Sequence, residues 1–191
     1  MFFQFFGFLF GKIDIVNGKR PETINQYLIL SFFNLLGTFL ILWIFTKYVD
    51  KEKFINLGFT KNIKHIFIGI ILGTVVLVFG FNILLYLDEL KIITVEFRVN
   101  DFLKVFFLFI LVSLIEETLF RGYILKNLII SFNKYIALSI SSLLFALMHS
   151  ANPSINLLSF VNLFFAGMLL GTSYIYIYIY SKFMVSHWLT F

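Results

Sequence analysis

Long apolar runs separated by short charged connectors set the pattern of this chain. Two nearly uninterrupted apolar stretches run from about Gln26 to Val49 and from Ile66 to Leu87. Each exceeds the roughly 20 residues that a helix needs to cross a bilayer. A third helix is predicted from near Phe102, with its polar end, Arg121 to Lys126, emerging at an interface. A fourth runs from about Tyr135 to His149, where Asn152 and Pro153 break it, and a fifth from about Ile155 to Tyr180. A sixth begins near Phe183, and the roughly ten residues to Phe191 rise about 15 Å, half a bilayer. It is expected to be short or re-entrant, or to belong to a longer chain.

Smaller features refine this picture. Met1 to Gly11 is apolar but too short to span, with no basic region before it and no small-residue cleavage site. An interfacial segment, or a helix lying against the others, is expected there in place of a signal peptide. Gly69, Gly73 and Gly80, and the GxxxG pair Gly167 and Gly171, read as positions of close helix packing. Tyr174 to Tyr180 alternates tyrosine with isoleucine at a strand-like period. A helix end with tyrosines at the membrane interface suits this context better.

Composition supports the same class. With 60% hydrophobic and 13% charged residues, the 191-residue chain cannot supply the surface of a soluble protein. The expected fold is all-α, a polytopic transmembrane helical bundle of about five to six spans. Long continuous runs argue against a membrane β-barrel, whose strands alternate. Residues 1–101 are expected to hold N-terminal spans and loops, and residues 102–191 a helical core. The net charge of +5 comes from lysines gathered in the connectors, which favour membrane lipids with anionic headgroups as partners. No basic stripe stands apart from the spans, so no nucleic-acid partner is expected. There are no cysteines, which excludes disulfides and thiolate metal sites. Alternating the loops places Lys47, Lys51, Lys53, Lys61, Lys64, Arg121, Lys126, Lys134 and Lys182 on the more basic side. The positive-inside tendency makes that side cytoplasmic, as suits an integral protein of the plasma membrane.

Candidate chemistry concentrates in SLIEETLFRG, Ser113 to Gly122. Carboxylates inside an apolar helix are costly and mark functional positions by default. Glu117 and Arg121, four apart, can pair on one helical face. Glu116 points about a hundred degrees away and stays available for other work. Two histidines follow on later helices: His149, with Phe145 one turn before it, and His187 next to Trp188. Taken singly, each histidine reads more readily as a capping or interfacial residue.

Together these residues resemble the CAAX prenyl protease 2 and bacteriocin-processing (CPBP) intramembrane endopeptidases. That family's first motif, two glutamates, three residues and an arginine, is matched by Glu116, Glu117 and Arg121, with Phe120 and Gly122 also agreeing. Its second, a phenylalanine, three residues and a histidine, is matched by Phe145 and His149. Its third is a histidine followed four positions on by asparagine or aspartate. His187 matches the first half, but Phe191 stands at the other position. The resemblance covers about Phe102 onward.

The resemblance implies an intramembrane endopeptidase acting on a peptide or membrane-protein substrate. Glu116 would activate water, His149 would hold that water or stabilise the oxyanion, Glu117 and Arg121 would fix the helix, and His187 would complete the pocket. The missing amide implies a slow or inactive protein, since losing one oxyanion donor can cost about a hundredfold. Whether a divalent metal such as zinc takes part stays open; Glu116, His149 and His187 would be its ligands. Substrate classes in the family run from lipidated C-terminal peptides to bacteriocin maturation and self-immunity. Two other readings stand beside proteolysis. One is a non-catalytic immunity or regulatory partner of another membrane protein, favoured by Phe191. The other is a small transporter with a carboxylate proton relay, for which no inverted repeat is visible.

Overall fold

A computed structural model describes residues 2–13, 20–57, 63–150, 152 and 155–188, with the backbone alone at 2, 55–56, 63–66 and 177–188. All regular structure among them is helical: α1 (Phe2–Phe10), α2 (Ile24–Ile44), α3 (Ile63–Tyr86), α4 (Val99–Glu116), α5 (Lys126–Ser131), α6 (Lys134–Ser150) and α7 (Leu157–Trp188). Two wide-turned π-helical pieces continue α2 and α4, at Phe45–Val49 and Glu117–Leu125, and a 3-10 turn lies at Phe54–Leu57. The all-α expectation therefore holds. Residues 1–58 and 104–191 form one compact unit and residues 59–103 another.

Within the larger unit, α2 begins at a capping box. The Thr23 hydroxyl accepts the Gln26 N–H, and the Gln26 side chain accepts the Thr23 N–H in return. Such reciprocal bonds satisfy backbone donors that a helix start leaves unpaired. The N-terminal apolar segment is a helix lying against α2, one of the two forms expected of it. Phe6 and Phe10 stack on Phe33, and Gly37 receives the Phe3 ring so closely that an added Cβ would sit 3.2 Å from it.

α6 and α7 pack through the GxxxG pair. A Cβ on Gly167 would lie 3.0 Å from the Ser142 Cα, and one on Gly171 would lie 2.5 Å from the Leu138 side chain. The small residues let the backbones approach, as read from the sequence. Leu125, Ala137, Leu138 and Ile175 close the core beside them. Gly167→Val is expected to cost about 1–3 kcal/mol by overpacking this seam. A thermal unfolding midpoint in detergent equal to wild type would contradict the packing.

One expectation needs correction. The fifth and sixth helices are one: α7 runs unbroken for 32 residues, about 48 Å. Ser181 and Lys182 looked like a boundary because they are polar, yet neither breaks a helix as glycine or proline does. Of the five to six spans expected, three are met by length and composition among the described residues. Three stretches are long and apolar enough to cross a membrane: Ile24–Val49, Phe67–Tyr86 and Leu157–Tyr176. α4 falls short because Asp101, Lys104 and Glu116 confine its apolar part to residues 105–115, about 16 Å. α6, with 17 residues, is a shorter apolar helix.

The smaller unit holds α3. Its polar side chains satisfy themselves: Thr74 donates to the Ile70 carbonyl at 2.8 Å and Asn82 to the Val78 carbonyl at 2.7 Å. That suits an apolar surrounding, where unpaired polar groups are costly. Among the described residues, a Cβ on Gly69, Gly73 or Gly80 would meet nothing within 4 Å.

Candidate active site

The site is built where α4 passes into the π segment Glu117–Leu125. A π-helix closes its turns from residue i to i+5, is rare, and is frequently found at functional sites. Its wider turn gains less from internal packing and needs support from its neighbours. α6 gives some, since the buried Ser141 hydroxyl donates to the Phe120 carbonyl at 3.3 Å. The connector after α2 gives more. At Gly122 an added Cβ would lie 2.3 Å from the Leu57 carbonyl oxygen, so only glycine admits that backbone. Gly122→Ala is expected to destabilise the protein by about 1–3 kcal/mol. An unchanged thermal midpoint in detergent would contradict this contact.

On the π segment, the Arg121 side chain is only 3% exposed. Glu117 Oε1 lies 3.3 Å from its Nη1, and the guanidinium sits 4.6 Å over the Phe145 ring. Beyond these contacts its terminal nitrogens make no hydrogen bond among the described residues. The nearest partners of the arginine are the Glu117 carboxylate and the Phe145 ring, and the Glu116 charge also acts on it. Phe145 in turn meets Phe120 edge-on at 5.2 Å and His149 at 4.6 Å. This ring joins the two motifs.

Glu116 faces elsewhere, as its helical offset requires. Its Oε1 is 3.4 Å from His149 Nε2, and both side chains are partly buried, 29% and 30% exposed. His149 Nδ1 lies 2.9 Å from the Phe145 carbonyl. A carbonyl only accepts, so the proton on that nitrogen belongs to the bond and Nε2 is turned to the carboxyl group. Glu116 and His149 thus place a carboxyl oxygen and a ring nitrogen close enough to share a proton.

The structure brings Glu116, Glu117, Arg121, Phe145 and His149 together. The backbone of His187 lies on α7, but its side chain, like all of Phe191, lies outside the described residues. Two donors of a tetrahedral zinc ion bound at about 2.1 Å lie about 3.4 Å apart, which is the separation of Glu116 Oε1 and His149 Nε2. The pair fits two corners of such a site. Among the described residues, no group of three histidine, aspartate or glutamate side chains gathers for a full set.

Sequence reading missed two neighbours of the site. Glu52 pairs with Lys126, 74 residues away. The Tyr123 hydroxyl bonds the Asp50 carboxylate. Both partners come from a connector with no periodicity, so nothing local announces them.

A family model described as Rce1-like, type II CAAX prenyl endopeptidase, matches residues 98–190. No curated protein and no solved structure matches the chain.

Proposed function

We propose that this chain, which through residues 98–190 belongs to the Rce1-like family of type II CAAX prenyl endopeptidases, hydrolyses a peptide bond of a lipidated or membrane-associated substrate. The approach of Glu116 to His149 at 3.4 Å carries the reading. Two partly buried titratable groups, brought from different helices, are hard to justify by packing alone.

Glu116 takes a proton from a water molecule as that water attacks the scissile carbonyl. The same carboxyl group then delivers the proton to the leaving amine, so water is consumed and no charge is left over. His149 holds the shared proton at Nε2 and donates a hydrogen bond to the tetrahedral oxyanion. Its bond to the Phe145 carbonyl keeps the ring from turning away. Glu117 and Arg121 fix the helix that presents Glu116. By family resemblance, His187 completes the pocket. A divalent cation such as zinc, held by Glu116, His149 and His187, would polarise the attacking water. No step above depends on it.

The substrate's lipid anchor and the enzyme share the bilayer, which confines their encounter to one surface. A prenylated peptide reporter tests this directly. Purified protein in lipid vesicles is expected to release the C-terminal tripeptide, and His149→Ala is expected to stop the release. Release that persists undiminished in His149→Ala would overturn the assignment.

A further inference from the structure

One buried charge close to the site has no part in this mechanism. Lys126 follows the π segment, its side chain only 9% exposed, and its Nζ pairs with the Glu52 carboxylate. Glu52 belongs to the connector after α2, which turns back sharply. Lys51 adopts the left-handed conformation there, φ 56°, a costly choice for a residue with a side chain. The Glu52 N–H then donates to the Thr46 carbonyl at 2.8 Å. From this turn the connector meets the π segment at Asp50 with Tyr123 and at Leu57 with Gly122, and the start of α5 at Glu52 with Lys126.

We propose that the Glu52–Lys126 ion pair is a clamp that holds residues 117–125 in the wide-turned form and thereby positions Glu116 against His149. Glu52 and Lys126 are positioning residues; neither reaches the reacting atoms. The π form is less favourable than the α form and persists only where its surroundings impose it. Release of one extra residue from the turn rotates the helix before it by about 100° relative to the helix after it. Glu116 lies at that junction, so it would swing away from His149. The clamp's catalytic part rests on the proteolytic reading above; its structural part does not.

The test uses this whole 191-residue chain in detergent, with Glu52→Gln, Lys126→Met and the double reversal Glu52→Lys with Lys126→Glu. Two quantities are read: hydrogen–deuterium exchange of the 117–125 amides, and cleavage of the prenylated reporter. Both single variants are expected to speed exchange there and lower kcat at least tenfold, with KM within about twofold. Misplacing a catalytic group by about 1 Å can cost a hundredfold. Glu52→Gln is expected to act more strongly than Lys126→Met, because it leaves a buried ammonium without its counter-charge while the other leaves a half-exposed carboxylate. The double reversal is expected to recover part of both quantities.

Unchanged exchange in both single variants overturns the clamp, whatever the activity. Faster exchange with unchanged kcat, or a change in KM alone, overturns its positioning role. If wild type cleaves nothing while exchange still responds to both variants, the clamp stands and the proteolytic reading falls.

Discussion

Glu116→Gln is expected to lower kcat by about a hundred- to ten-thousandfold, the usual contribution of a positioned general base. The substitution keeps the shape and hydrogen-bonding capacity of the side chain and removes only its capacity to take a proton. His149 would still find a polar neighbour at the same place, so folding and insertion should be unaffected. Glu117→Gln separates the two adjacent carboxylates, since its loss acts on stability. The variant to measure is purified Glu116→Gln against the prenylated reporter, at matched abundance and thermal midpoint. Turnover within threefold of wild type would show that the base lies elsewhere.

Glu117→Ala should produce the largest loss of stability, about 3 kcal/mol or more. The reason lies in the unequal burial of the ion pair. Arg121 is 3% exposed and Glu117 is 44% exposed. Removing the glutamate takes the nearest opposite charge from a buried guanidinium, leaving the Phe145 ring and the more distant Glu116 charge, and a poorly compensated buried charge is costly. Arg121→Met does the reverse. It leaves a carboxylate that water can reach and fills the space with an apolar chain, so its cost should be smaller. Thermal unfolding of both variants in detergent checks the order. Equal midpoints, or Arg121→Met as the weaker protein, would contradict this account of the pair.

Much of this was legible along the chain because membrane helices announce themselves by length and apolarity. The starts of α2, α4 and α6 fall within a few residues of the sequence reading, since charge or a cap marks each of them. The offset between Glu116 and Glu117 follows from helical geometry alone, and it sends one towards His149 and the other towards Arg121. Other features were hidden for physical reasons. A π segment has no composition of its own, so EETLFRG reads as an ordinary helix end. The fusion of two predicted helices into α7 escaped notice because tolerated polar residues resemble a boundary. The Glu52–Lys126 contact joins positions 74 apart, a pairing that periodicity cannot reveal. Gly122 stood out only as part of a motif. Its purpose, to admit the Leu57 carbonyl, belongs to tertiary structure.

The reading of this chain as a working protease is tested most directly in native membranes. Wild type and Glu116→Ala, produced at equal abundance, would be compared by mass spectrometry of newly formed peptide termini. The account predicts termini present with wild type and missing with Glu116→Ala, clustered on lipidated or membrane-associated proteins. Identical sets of termini would contradict it and turn attention to a non-catalytic partner of another membrane protein.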